Sequence, residues 1–203
     1  MANLCDNQIL ISGLKENMKF IHEFFSPLVT IKVNGEISPL VMSTLVPHDE
    51  EYEQIVQSKN YLLTPETVFY GTKWDFNLED VDISDITEES VSFFVSTPWS
   101  PPEAFCKKLA KKYDVTVHIY YDEPGIGFIG ETTFYSNGDQ NGEHYDNYLK
   151  GLYNIDNERF WHEITYRVLD CKEPKENIIK ECSYLDSDKL AELNEFLDDL
   201  TNE

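Results

Sequence analysis

The sequence predicts an α+β fold in which helices cover one face of an antiparallel sheet. Three observations carry that reading. Short β-forming runs and amphipathic helical stripes follow one another as β-α and then β-β-α-β. The runs are separated by clusters of Gly, Pro, Asn and Asp, the residues that turns require. Apolar residues make up 41% of the 203 and aromatic residues 13%, enough for a packed core.

Taken in order, Gln8–Ser12 reads as a strand closed by Gly13. Leu14, Met18, Ile21 and Phe25 then mark a helical stripe, with Lys15, Glu16, Lys19 and Glu23 off it. Ser12 is the expected N-cap and Pro27 the stop. Leu28–Val33 and Ile37–Thr44 are β-rich runs around Asn34-Gly35, a two-residue hairpin signal. Glu50–Gln57 has a helical pattern, and Tyr61–Tyr70 is mixed.

Lys73–Phe76 and Ser90–Thr97 read as strands joined by an acidic connection. Ser100-Pro101-Pro102-Glu103 has the form of a capping box: an N-cap, a Pro at the first helical position and a Glu three residues past the cap. The helix it opens carries Phe105, Leu109 and Tyr113 on one stripe. Lys107, Lys108, Lys111 and Lys112 fall towards its C-terminus, where cations suit the dipole. Val115–Tyr121 is the next strand, Asp122–Gly125 a turn, and Phe128–Tyr135 a further strand. The Asn-, Gly- and Asp-rich stretch Ser136–Asn147 reads as a loop. Asn157–Leu169 suits a helix but also a strand, and Pro174 falls in a connection. Leu190, Leu193, Phe196, Leu197 and Leu200 form a last amphipathic helix capped by Asp186 or Ser187.

This order is the split βαβ, or ferredoxin-like, pattern. The expected domain spans 1–150 with an insertion at about 28–70. Residues 151–203 form a mostly helical C-terminal extension packed on it.

Motifs that would announce a reaction fail on their context. Gly125-Ile126-Gly127-Phe128-Ile129-Gly130 matches a dinucleotide fingerprint in letters, but a helix must open there and Glu131–Tyr135 is strand-like. A tight turn and a glycine-kinked strand explain it better. Asn137-x-Asp139-x-Asn141-Gly142 begins like a calcium loop, yet its twelfth position holds Tyr148 in place of a bidentate Glu. His22, His48, His118, His144 and His162 form no zinc-binding pair, and His144 with Asp146 supplies only two ligands. No catalytic residue, cofactor or metal site is assigned.

Charge is the more informative feature. The formal net charge is −22, which disfavours direct nucleic-acid binding and docking on anionic lipid. Between Trp74 and Cys106 stand Asp75, Glu79, Asp80, Asp82, Asp85, Glu88, Glu89 and Glu103 with no Lys or Arg. Such a block ordinarily keeps a face solvated. Its sharper meaning is a row of carboxylates that imitates phosphates and fits the basic groove of a nucleic-acid-handling protein. No apolar run nears the ~20 residues of a membrane span. The N-terminus lacks a signal-peptide pattern, and Cys5, Cys106, Cys171 and Cys182 form no C-x-x-C pair. A cytoplasmic location is therefore expected.

Four blocks also resemble the YubB-type ferredoxin-like domain proteins of plasmids, phages and other bacterial mobile elements. They are Asn3-x-Cys5-x-Asn7, Gly71–Asp75, Thr97-Pro98-Trp99-Ser100-Pro101-Pro102, and Tyr121–Gly125 leading to Gly127-Phe128-x-Gly130. The resemblance covers residues 1–26 and about 71–135. It implies the same fold and supplies no catalytic residues.

Three functions remain in view. The leading expectation is a non-catalytic protein that binds a basic protein partner through Asp75, Glu79, Asp80, Asp82, Asp85, Glu88 and Glu89, for example to inhibit a host or defence nucleic-acid enzyme. The alternative is a small-molecule-binding domain or enzyme whose pocket lies between the open sheet face and the insertion, near Trp74, Trp99, Asp122 and Glu123. A third is single-stranded RNA on the sheet, stacked on Phe93 and Tyr120, which the charge disfavours.

Overall fold

A computed structural model describes residues 3–26, 39–58 and 63–202. Strand β1 (Leu4–Ser12) is followed by helix α1 (Lys15–Phe25), then by three short helices: α2 (Val41–Leu45), α3 (Glu50–Ser58) and α4 (Pro65–Tyr70). A 3₁₀ turn (Leu78–Asp80) leads into β2 (Asp82–Ile86) and β3 (Ser90–Pro98). Helix α5 (Glu103–Tyr113), β4 (Thr116–Glu123), β5 (Phe128–Phe134) and β6 (Gln140–Tyr145) come next. The chain ends in α6 (Tyr148–Ile155), α7 (Asn157–Leu169), α8 (Lys175–Glu181) and α9 (Ser187–Asn202).

The sheet order is β2-β3-β1-β4-β5-β6, and β1 lies antiparallel to both β3 and β4. The first four strands of that order form the ferredoxin-like arrangement expected, but its edge strand β2 lies within the stretch read as an acidic connection and not at Lys73–Phe76. β5 and β6 extend the other edge. Strict alternation along β1 decides which face is covered. Cys5, Asn7, Ile9 and Ile11 are buried, while Leu4, Asp6, Gln8 and Leu10 are exposed. On the covered side α1 lies against β3, with the Phe25 and Phe93 rings 5.0 Å apart, and α5 lies against β4.

By compactness the chain divides into residues 1–126 with 130–143, and residues 127–129 with 144–203. The second unit contains α6–α9. Its core includes Leu149, Leu152, Phe160, Ile164, Ile178, Leu193 and Leu197. Trp161 meets Phe196 edge-on at 4.9 Å, and Arg167 bonds Glu163 and Glu181 at 2.8 and 2.7 Å.

Several local expectations are corrected. Ser12 is not an N-cap, because β1 runs through it and α1 starts at Lys15 with Leu14 in the cap position. Of the two β-rich runs around Asn34-Gly35, residues 27–38 lie outside the described residues and Val41–Leu45 is helical. The carboxylate of Asp75 accepts the Met42 and Ser43 backbone N–H groups at 2.8 Å each, which caps that helix from outside. Lys73–Phe76 is consequently no strand. Just beyond it, Asn77 forms an isolated bridge with Leu40. Ser100 does not cap α5: its hydroxyl donates to the Gly71 carbonyl at 2.6 Å, and the helix begins at Glu103 without a side-chain cap. The polar stretch 136–147, expected to be a loop, contains β6. Polar composition hid that strand, whose residues are nearly all exposed.

The G-x-G-x-x-G letters have the structural explanation expected of them. Gly127 takes φ +96° in the turn before β5. A Cβ on Gly130 would stand 2.5 Å from the Tyr121 hydroxyl and 2.7 Å from the Glu143 carbonyl, so the strand needs a bare backbone there.

Gly151, inside α6, is fitted against Ile129, and a Cβ there would overlap the Ile129 side chain. Gly→Ala within a helix ordinarily stabilises by up to about 1 kcal/mol. Gly151→Ala is expected to reverse that sign and destabilise by roughly 1–3 kcal/mol, measured by urea unfolding. Thiol chemistry checks the burial independently. Cys5, Cys106 and Cys182 are buried and Cys171 is exposed. Burial raises the Cys182 thiol to about 11 and the Cys5 and Cys106 thiols further. One thiol is expected to react with Ellman's reagent in the native protein, and four after denaturation.

Candidate functional site

The four sequence blocks meet at one end of the sheet, where β3 turns towards α5. The Asn7 side-chain amide is buried there and donates to the Cys5 carbonyl at 2.8 Å, the Val95 carbonyl at 3.0 Å and the Thr97 hydroxyl at 2.9 Å. The Thr97 hydroxyl in turn donates to the Ser100 carbonyl at 2.8 Å. Thr72 donates to the Pro98 carbonyl at 3.0 Å. On the neighbouring strands, the Thr132 hydroxyl donates to Glu103 at 2.8 Å, and the Glu123 carboxylate accepts the Ile126 N–H. Asp122 and Glu123 are only 4% and 2% exposed, so a solute at the surface does not reach them. Burial pushes the Cys5 thiol well up, and the nearby carboxylates of Asp122, Asp6, Glu123 and Glu103 add to it.

This network holds Trp99 in an unusual state. Its φ is +70°, its N–H bonds the Asn3 carbonyl at 3.0 Å, and Ser100 N–H reaches back to the Pro98 carbonyl at 2.9 Å. That is a γ-turn with a bulky residue at positive φ, a strained conformation that persists only where its surroundings over-determine it. Trp99 is nonetheless 45% exposed, and Trp74 is exposed too.

Running from this corner is the open face of the sheet. In the ladder, Phe94 pairs with Gln8 and Asp82, Gln8 with Tyr120, and Leu10 with both Ser92 and His118. Paired residues share a face, so these side chains form one surface. Phe94 is 45% exposed and Leu10 38%. Asp85 pairs with Ser92, which puts it on the same face as Asp82 although the two are three residues apart. A bulge between Ile83 and Asp85 makes this possible by inserting Ser84, whose hydroxyl donates to Ser92 at 2.9 Å. Asp6 lies further along and accepts from Ser96 at 2.5 Å. His118, with Thr133 at 3.0 Å and Glu131 at 3.8 Å, lies towards β5.

The predicted acidic residues therefore divide by role. Asp82 and Asp85 come together on the open face. Among the described residues their carboxylates, like that of Glu89, have no hydrogen-bond or ion-pair partner. Glu79 and Asp80 are exposed in the 3₁₀ turn, where Asp80 accepts from Asn77 at 3.2 Å. Glu88 pairs with Lys15 at 2.6 Å. The Lys15 ammonium beside it lowers its pKa, first through the hydrogen bond and then through charge. Asp75 is occupied as a helix cap.

Phe93, expected on the sheet as a stacking platform, is fully buried under α1, and Phe94 takes the open position instead. Sequence reasoning also missed Asp6 and Leu10, which the alternation of β1 marks once its covered face is known.

Sheet order and helix placement define a ferredoxin-like domain. Comparison with known proteins agrees: residues 69–165 match the family model described as the ferredoxin-like domain in Api92-like protein. The crystal structure of protein api92 from Yersinia pseudotuberculosis is similar over 71% of this chain and 98% of its own, at 9% identity and a TM-score of 0.41. No curated protein matches the chain. Among the described residues, no helix is long and apolar enough to cross a membrane.

The strain at Trp99 is directly measurable. Trp99→Gly and Trp99→Ala lose the same indole, but only Gly adopts φ +70° freely. The Gly variant is expected to be the more stable by about 1 kcal/mol in urea unfolding.

Proposed function

We propose that this protein acts without catalysis, by binding a basic protein partner across the open face of its sheet. The observation that supports it is one surface on which exposed Phe94 and Leu10 are edged by Asp82, Asp85 and Asp6. Apolar side chains with carboxylates along the edge suit a partner whose own contact has an apolar centre and Lys or Arg around it. The excess of acid over the whole chain steers such a partner inward and makes association fall with salt.

The more specific version follows from the spacing of carboxylates and from the resemblance to YubB-type proteins of mobile elements. In it, the chain works in a bacterial cytoplasm and occupies the basic groove of a host or defence nucleic-acid enzyme. RNA on the same face gains Phe94 and Tyr120 as stacking rings but must overcome Asp82, Asp85 and Asp6 beside them.

The test compares capture from a bacterial lysate by the wild type, the Asp82→Asn/Asp85→Asn variant and Phe94→Ala. A partner held by the wild type at about 50 mM salt is expected to bind each variant at least about tenfold more weakly, and to leave the wild type at high salt. A partner held equally by all three removes the open face as the contact.

A further inference from the structure

One cleft runs against the character of the whole molecule. It measures about 640 Å³ and is walled by Val46–Asp49, by Glu51 of α3 and by Lys108, Lys111 and Lys112 of α5. Three lysines and His48 thus line one concavity in a chain whose net charge is −22.

Both acids in the lining are already engaged. Asp49 accepts the Glu51 and Tyr52 backbone N–H groups at the start of α3, and Glu51 pairs with Lys108 at 2.5 Å. Lys108 also sits 4.2 Å over the Phe69 ring. Positive charge is left over at Lys111 and Lys112. Among the described residues Lys111 has no side-chain partner, while Lys112 donates to the Leu45 carbonyl at 2.7 Å. Desolvation lowers the Lys112 pKa, a cost that an anion beside it would relieve.

The opposite wall is held in place before any ligand arrives. Tyr70 donates to the Val46 carbonyl at 2.8 Å, and Tyr113 donates to the Leu45 carbonyl at 3.0 Å. The His48 ring lies flat on Tyr52 with centroids 3.5 Å apart. Attraction to the helix dipole explains cations in the last turn of α5, but not their placement opposite a fixed wall, with Lys108 a turn earlier.

We infer that this cleft binds a small phosphate-bearing ligand, with Lys111 and Lys112 as the anion contacts and His48 as a donor at its wall. Its volume suits a metabolite, within the range of about 300–1,000 Å³ found for small-molecule sites. A polyanion is disfavoured, because a nucleic-acid backbone extending beyond the cleft would meet the acidic remainder of the surface.

The test titrates the full chain with inorganic pyrophosphate at constant ionic strength, following the His48 ring protons and the α5 amides by NMR. Saturable shifts confined to the cleft are expected. Lys111→Glu, at an exposed position, is expected to weaken binding at least about tenfold, and Lys19→Glu on α1 to leave it unchanged. The inference is overturned if sodium chloride of equal ionic strength gives the same shifts, or if Lys111→Glu binds as the wild type does. Tighter binding of a single-stranded 20-mer than of pyrophosphate would overturn the small-ligand assignment. Neither variant touches the open sheet face, so the two readings fail separately.

Discussion

The buried amide of Asn7 is the constraint on which the domain's functional end depends. It projects from the central strand beneath the covered face and ties β1 to the Val95 carbonyl and the Thr97 hydroxyl on β3. Thr97 and Ser100 then carry the tie onward to Gly71. An unpartnered amide in that position would cost on the order of 1–3 kcal/mol, so the turn must form where its acceptors are supplied. Replacing Asn7 by an apolar residue would leave the strands paired but release the corner that holds Trp99 at positive φ.

The open face depends on a second device, the inserted Ser84. Without it, Asp82 and Asp85 would point to opposite sides of an edge strand, one of them towards the core. The bulge therefore does two jobs. It gathers charge beside Phe94, and it makes β2 irregular enough to discourage pairing with another chain's edge.

Much of the fold was legible in the sequence because hydrophobic periodicity is a local property. β1, α1, β3, α5, β4, β5 and α9 all carry it. Their order implied the sheet topology once a second strand was added, which the sequence suggested at Lys73–Phe76 and the fold supplies from the acidic run Asp82–Ile86. What escaped was set by partners distant in sequence. Asp75 looks like one more acid in an acidic run, and only the backbone of Met42 and Ser43 makes it a cap. Ser100 fits a capping box by spacing, yet its hydroxyl donates to the Gly71 carbonyl instead. β6 has no apolar face to display. For the candidate surface, the acidic block was visible, but which of its members share a face depends on a bulge that leaves no mark in composition. Phe93 and Phe94 are adjacent identical letters, and register alone decides which is buried.

The fit between Gly151 and Ile129 has a consequence for how the chain is assembled. The helical unit from His144 onward includes three residues, Gly127–Ile129, that enter the sequence before the last part of the sheet has been made. It is thus not a contiguous segment that can be cut out by a single scission. A fragment starting at residue 144 would lack the isoleucine that fills the notch left by a missing side chain. On the ribosome, that isoleucine emerges first and waits for its glycine.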